Sequence, residues 1–182
     1  MAFSISEFRS ELKLDGARPN LFRVTIPFPS LVDGGTTASS SLVFMAKSSQ
    51  LPGSSIGSIP IHYFGREVKV AGNRSFPDWT ITVINDEDFG IRNAFERWHG
   101  TINSHNANLR NANAVNMLGY QVDAIVEQFG KAGNVIKTYK MVGAFPIDLA
   151  PIDLDWGSQD SVEEFTVTFT FQLWESDTTD VA

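Results

Sequence analysis

Histidine is the side chain best suited to proton transfer and zinc ligation near neutral pH, and this sequence has three: His62, His99 and His105. No two of them stand four apart, and none has a carboxylate at a metal-ligand interval. Surface or capping roles are therefore expected. Asp86, Glu87 and Asp88 could hold a cation or share a proton, but acidic residues ahead of a helix are also what its free N–H groups favour. The glycine-rich run GSSIG at 53–57 lacks the following Lys-Ser/Thr of a phosphate-binding loop. No serine has an obvious base nearby in the sequence, and the absence of cysteine removes thiolate chemistry. Trp79, Trp98, Trp156 and Trp174 could stack on bases or sugars; two of them lie on apolar stripes and no basic groove accompanies them, so core packing is the expectation. The residues point to no catalytic, cofactor or metal site.

The elements that would have to position any site read as β-structure. The 182 residues suffice for one domain, 1–182, with its own core. A formal charge of -7 disfavours a partner held by its phosphates and suits a concentrated protein, or a surface past which nucleic acid slides. No basic start followed by an apolar core opens the chain, and no apolar run is long enough to span a bilayer, so a soluble protein without membrane insertion is expected.

Ser4 and Glu7 have the spacing of a capping box, and Ile5, Phe8 and Leu12 share a face, predicting an amphipathic N-terminal arm over 1–16. Leu21 to Ile26 alternates as a strand that Pro27 and Pro29 close. Asp33 to Ser41 is expected to be a flexible turn too polar to pack, Leu42 to Ala46 a strand, and 49–60 an extended loop carrying the apolar Ile56 and Ile59. Strand is expected at Ile61 to Phe64 and Glu67 to Val70, with a break at Gly65 and a turn at Gly72 and Asn73. Trp79, Ile81 and Val83 alternate with polar residues in a half-buried strand.

Ile91, Phe95, Trp98 and Ile102 form one stripe of a helix whose end Gly100 should fray. An asparagine-rich polar loop follows at 103–118, then a hairpin of Tyr120 to Phe129 and Val135 to Val142 about a turn at Gly130 to Asn134. Val162 to Trp174 gives the cleanest alternation, with Phe165, Val167, Phe169, Phe171 and Leu173 on one face. Burying those five side chains is worth roughly 8 to 15 kcal/mol gross, at about 1.5 to 3 kcal/mol each before entropy. The sum is a mainly β fold: an antiparallel sandwich or partly open barrel of about seven strands, with one packed α-helix and the N-terminal helical arm.

Four segments, ARPNLFRVTI (17–26), AKSSQLPGSSIGSIPI (46–61), GREVKVAGNRSFPDWTITVINDEDFGIRNAFERW (65–98) and VGAFPIDLAPIDLDWGSQDSVEEFTVTFTFQLWE (142–175), together resemble the tail tube proteins of contractile-tailed bacteriophages. The resemblance implies six-membered rings stacked into a hollow conduit for DNA inside a contractile sheath. It implies partners in the chain itself, the sheath, the baseplate and the tail terminator, with DNA passing unbound. The protein would reside in the virion after assembly in the host cytoplasm. The 49–60 loop would reach a neighbouring subunit, and Leu51, Pro52, Ile56, Ile59, Arg66, Asn73 and Arg74 are the expected interface residues. Gln121, Asp123 and Glu127, on the polar face of their strand, are the expected lumen residues. The 33–41 and Asn-rich segments exceed what a minimal tube subunit needs and are expected toward the sheath. Two alternatives stand beside this reading: the tube of a DNA-free contractile injection system, and a monomeric β-sandwich binding module whose loops form the ligand site.

Overall fold

Strands whose side chains alternate between apolar and threonine must bury one face, and the two clearest ones lie side by side. In the computed structural model, which describes residues 4–13 and 16–179, β5 (Trp79–Ile84) and β8 (Glu164–Thr170) pair antiparallel. Trp79 meets Phe169, Ile81 meets Val167 and Val83 meets Phe165 on the inner face. Thr80 meets Thr168 and Thr82 meets Thr166 on the outer one.

These strands belong to a seven-stranded antiparallel sheet of order β1-β6-β7-β8-β5-β2, with β9 added beside β7. Its other members are β1 (Phe22–Thr25), β2 (Ala46–Ser49), β6 (Val122–Phe129), β7 (Val135–Leu149) and β9 (Leu173–Ser176). The long β7 carries the bend. Its first part pairs with β6 and β9, and Phe145 to Leu149 pair with β8. Between them Gly143 adopts φ 67°, a left-handed conformation that glycine takes at little cost. The sheet thereby folds over a single core that joins Val24, Val126 and Met141 to Trp79, Val167 and Phe169. Its ends, β1 and β2, come close without exchanging ladder hydrogen bonds, which makes a partly open barrel.

Helix α3 (Gly90–Ile102) closes the core with the stripe expected of it, burying Ile91, Ala94, Phe95 and Trp98. The Trp98 ring stacks on Phe95 with centroids 6.3 Å apart, and its indole N–H donates to the Tyr120 carbonyl at 2.9 Å. Gly100 does not end the helix, which runs on to Ile102. The 103–118 segment is mostly exposed, as expected, but two short 3-10 turns at Ala112–Ala114 and Met117–Gly119 tie it down and bury Ala114. A Cβ at Gly119 would lie 2.2 Å from the Asn113 carbonyl oxygen, so only glycine fits there.

Five further expectations need correction. The supposed turn at 33–41 is helical: α2 (Gly35–Met45) spans it and absorbs most of the strand expected at 42–46. Ala38 and Leu42, one turn apart, are buried, and the Ser39 hydroxyl donates to the Ile26 carbonyl at 2.8 Å, so small hydroxylated residues seat the helix closely against the chain after β1. The 49–60 segment is largely strand: β3 (Ser55–Tyr63) pairs with β4 (Arg66–Ser75), with the turn at Phe64 and Gly65. Gly72 and Asn73 lie inside β4. The last expected strand divides into β8 and β9 after Thr170, where the Gln172 N–H turns to the Val142 carbonyl at 3.0 Å. Phe171 stays in the core, but Leu173 is exposed beside Val142.

The arm is present as α1 (Ile5–Glu11), capped by the Ser4 hydroxyl accepting from the Glu7 N–H. Residues 1–3 and 14–15 of the arm, and 180–182 of the expected domain, lie outside the described residues.

Candidate assembly surfaces

The β3–β4 hairpin makes no ladder with the main sheet. Its cross-strand pairs sort its residues by face. Ile59 meets Val70 and Ile61 meets Val68 on one side; Pro60 meets Lys69 and His62 meets Glu67 on the other. With Tyr63, the first face is a continuous apolar strip, all of it exposed. An isolated two-stranded hairpin is marginally stable in water, and a contiguous exposed apolar strip on a projecting element is a surface awaiting a partner.

Five of the seven expected interface residues sit on this hairpin. Ile56 and Arg74 face each other near its base, Ile59 is on the apolar strip, Asn73 lies beside the register irregularity, and Arg66 stands next to the tip turn. Leu51 and Pro52 lie in the connection from β2 to β3. Sequence reasoning missed Ile61, Tyr63, Phe64, Val68 and Val70. The signal was the alternation of 59, 61 and 63 against 68 and 70, hidden by dividing one hairpin between a loop and a broken strand.

Asp123 and Glu127 lie on the outer face of β6 as expected, but each has a basic neighbour. Asp123 accepts from Lys140 at 2.8 Å and from the Gly143 N–H at 3.1 Å, and Glu127 pairs with Arg23 at 2.6 Å. The hydrogen bond from Lys140 holds the Asp123 carboxyl below the usual carboxylate value, against the opposing effect of partial burial; the same bond raises the Lys140 ammonium. Gln121 precedes β6, beside Gly143. The face therefore alternates charges of both signs rather than presenting bare carboxylates.

The residues first weighed for chemistry are scattered. Asp88 caps the start of α3, accepting from the Gly90 N–H at 2.9 Å. His62 is on the hairpin, while His99 is half-buried near Arg92, His105 and Asp148, and its Nε2 has no hydrogen-bond partner. Burial pushes the His99 imidazole below its ordinary value of 6.5, despite the upward pull of Asp148. Among the described residues no group of three or more His, Asp or Glu is placed to hold a metal ion. Trp79 and Trp98 are core residues as expected, and Trp174 donates to the Gly53 carbonyl at 2.9 Å, fixing the hairpin's base. Trp156 corrects the expectation: it is fully exposed on the 151–164 loop, with Leu154 and Val162 exposed nearby.

A mainly β body with open strand edges and a projecting apolar hairpin defines a structural subunit that other chains complete. The chain belongs to the phage tail tube protein family, whose model matches residues 17–177. It is 32% identical to tail tube protein gp19 of Enterobacteria phage T4 over 162 residues, covering 88% of this chain and 92% of that protein. It is also 32% identical to the tail tube protein of Serratia phage KSP90 over 165 residues, 90% and 91% of the two chains. In fold it is similar to a chain of the anti-feeding prophage tube-terminating cap, with TM-score 0.62, 17% identity and coverage of 89% and 91%. A chain of an extracellular contractile injection system's sheath-tube complex is likewise similar, with TM-score 0.57, 17% identity and coverage of 97% and 99%. The protein is a tail tube subunit, and as such a component of the virion.

Proposed function

We propose that this subunit forms six-membered rings that stack into the hollow tube of a contractile tail, through which DNA leaves the particle. The observation that carries the reading is the β3–β4 hairpin, whose apolar strip has no cover among the described residues and is covered once it lies between copies. Leu51, Pro52, Ile56, Ile59, Arg66, Asn73 and Arg74 then form part of the contact. Sheet edges of neighbouring subunits join around the lumen, which removes the unpaired edges that a lone subunit exposes. Sheath, baseplate and terminator proteins are the further partners, and assembly takes place in the host cytoplasm. The subunit has a mechanical role and no catalytic one.

The outer face bearing Gln121, Asp123 and Glu127 is assigned to the lumen. Its paired charges offer DNA phosphates no concentrated positive surface to which they would adhere. A tube that carries no DNA is the second reading, supported by the resemblance in fold to contractile injection system chains. The identity to phage tail tube proteins favours the first.

The test is negative-stain electron microscopy with sedimentation of the purified protein at several concentrations, alone and with preformed baseplates. Tubes of uniform width with an open channel are expected. A monomer that persists at every concentration and with baseplates present would overturn the reading in favour of a binding module.

A further inference from the structure

The hairpin and the 151–164 loop carry opposite charge and matching apolar groups. Residues 55–75 contain Arg66, Lys69 and Arg74 against the single carboxylate of Glu67. Residues 151–164 contain Asp153, Asp155, Asp160, Glu163 and Glu164 and no base. Glu164 is engaged by Lys47 and Glu163 by Asn85. Among the described residues, Asp153, Asp155 and Asp160 have no ion-pair partner, and neither have Arg66 and Arg74. The loop also borders a recess that Ile152, Leu154, Trp156 and Val162 line together with Asp153 and Asp155.

At the hairpin tip, Phe64 is 91% exposed and held at φ 42°, with Tyr63 edge-on to it at 4.6 Å. Phe64 and Gly65 both have positive φ, the backbone of a type I′ turn, for which Asn-Gly is the favoured pair. A bulky aromatic there is strained, and its edge-on contact with Tyr63 leaves it almost fully exposed; such outliers concentrate where a surface is used.

We propose that the hairpin tip docks in the recess of the 151–164 loop of a second copy, Phe64 and Tyr63 against Leu154 and Trp156, and Arg66 among the carboxylates of Asp153 and Asp155. The proposal rests on the reading that the hairpin is buried between copies, and it names the surface that receives it. The like charges that repel whole subunits do not oppose this contact, because the hairpin is locally basic.

The chain has no cysteine, so paired substitutions report the contact directly. Glu67→Cys and Ser158→Cys leave the anchoring residues intact. Treating assembled tails with a short bismaleimide should give a ladder of multimers only when both are present. Tails that assemble normally without a ladder, or in which the thiol introduced by Ser158→Cys links to the sheath instead, overturn the docking while leaving hairpin burial standing. Charge exchange is the second measurement. Arg66→Glu and Asp155→Arg should each lower tube yield at least about tenfold, and the two together should restore most of it; failure to restore overturns the pairing. Phe64→Asn relaxes the turn, so its expected loss of tubes at an unchanged melting temperature cannot come from a collapsed hairpin. Wild-type tube yield from both Phe64→Asn and Arg66→Glu would remove the docking and the burial of the hairpin together.

Discussion

At the scale of single residues, the core is decided by a few aromatic side chains whose neighbours leave them no alternative. Trp98 is fully buried, stacked on Phe95 and hydrogen-bonded to the Tyr120 carbonyl. Trp98→Ala should therefore destabilise the monomer by about 3 to 5 kcal/mol in urea unfolding. Trp98→Phe should cost about 1 to 3 kcal/mol, because the ring remains while the carbonyl loses its donor. Equal losses for the two variants would mean that the ring contributes nothing beyond the indole N–H. His99 offers a test in pH. Burial lowers its folded value below 6.5, while the unfolded chain takes up the proton at about its ordinary value. Its contribution to stability is thus present above about pH 6.5 and is lost as pH falls toward the folded value. Asp148 pulls the other way, and Arg92 and His105 push in the same direction as burial. In His99→Gln the decline in melting temperature between pH 7.5 and 5.5 should be shallower than in the wild type, and an unchanged slope would assign that decline to other groups. Residues like these were partly legible: the stripe of Trp98 and Phe95 follows helical spacing, but nothing in the local sequence around His99 shows that Asp148 and His105 lie near it.

Secondary elements reveal what the chain does alone and what it does only in company. Ile61 and Val68 face each other on the hairpin's apolar strip, exposed to solvent. Replacing both by Thr keeps β-branched side chains in the strands and should change monomer stability by no more than about 0.5 kcal/mol each. Tube yield by sedimentation should nevertheless fall sharply, because the lost burial occurs between chains. A large drop in the monomer's melting temperature would instead mean that the strip is covered by its own body. The same elements show where the sequence was readable. β5, β8 and α3 have one face in the core, so periodicity identifies them. The hairpin buries neither face against the described residues, and its turn is Phe-Gly rather than a familiar turn pair, so it read as a loop followed by a broken strand. Helix α2 failed differently: Thr, Ser and Gly are weak helix formers, and its position is set by Ala38 and Leu42 packing and by the Ser39 bond to Ile26, contacts with residues distant in the chain or revealed only by the fold. β8 and β9 merged in the sequence because alternation continues across a bend that β7 imposes through its two sets of partners.

At the scale of the molecule, the bent sheet presents two outer faces of different chemistry, and only one can line a channel. The β2-β5-β8 half is rich in threonine, with Thr80, Thr82, Thr166 and Thr168 opposite one another in pairs. The β1-β6-β7-β9 half carries Arg23 and Lys140 among Asp123, Glu127 and Glu175. Changing Asp123 and Glu127 to Lys turns two attractive pairs into repulsive ones and leaves Glu175 as the one carboxylate among those five positions. Since both pairs are partly exposed, each should matter little to monomer stability, about 0 to 1 kcal/mol, and rings should still form. If this half faces the lumen, its accumulated positive charge would hold DNA phosphates by counterion release, slowing ejection most at low salt and less as salt is raised. Time-resolved release of DNA from particles carrying the double variant measures this directly. Slow, salt-relieved ejection from tubes of normal width is the expected result. Normal ejection at low salt would remove the charged half from the lumen and put the threonine half there, where uncharged hydroxyls would let DNA pass without either repelling or retaining it.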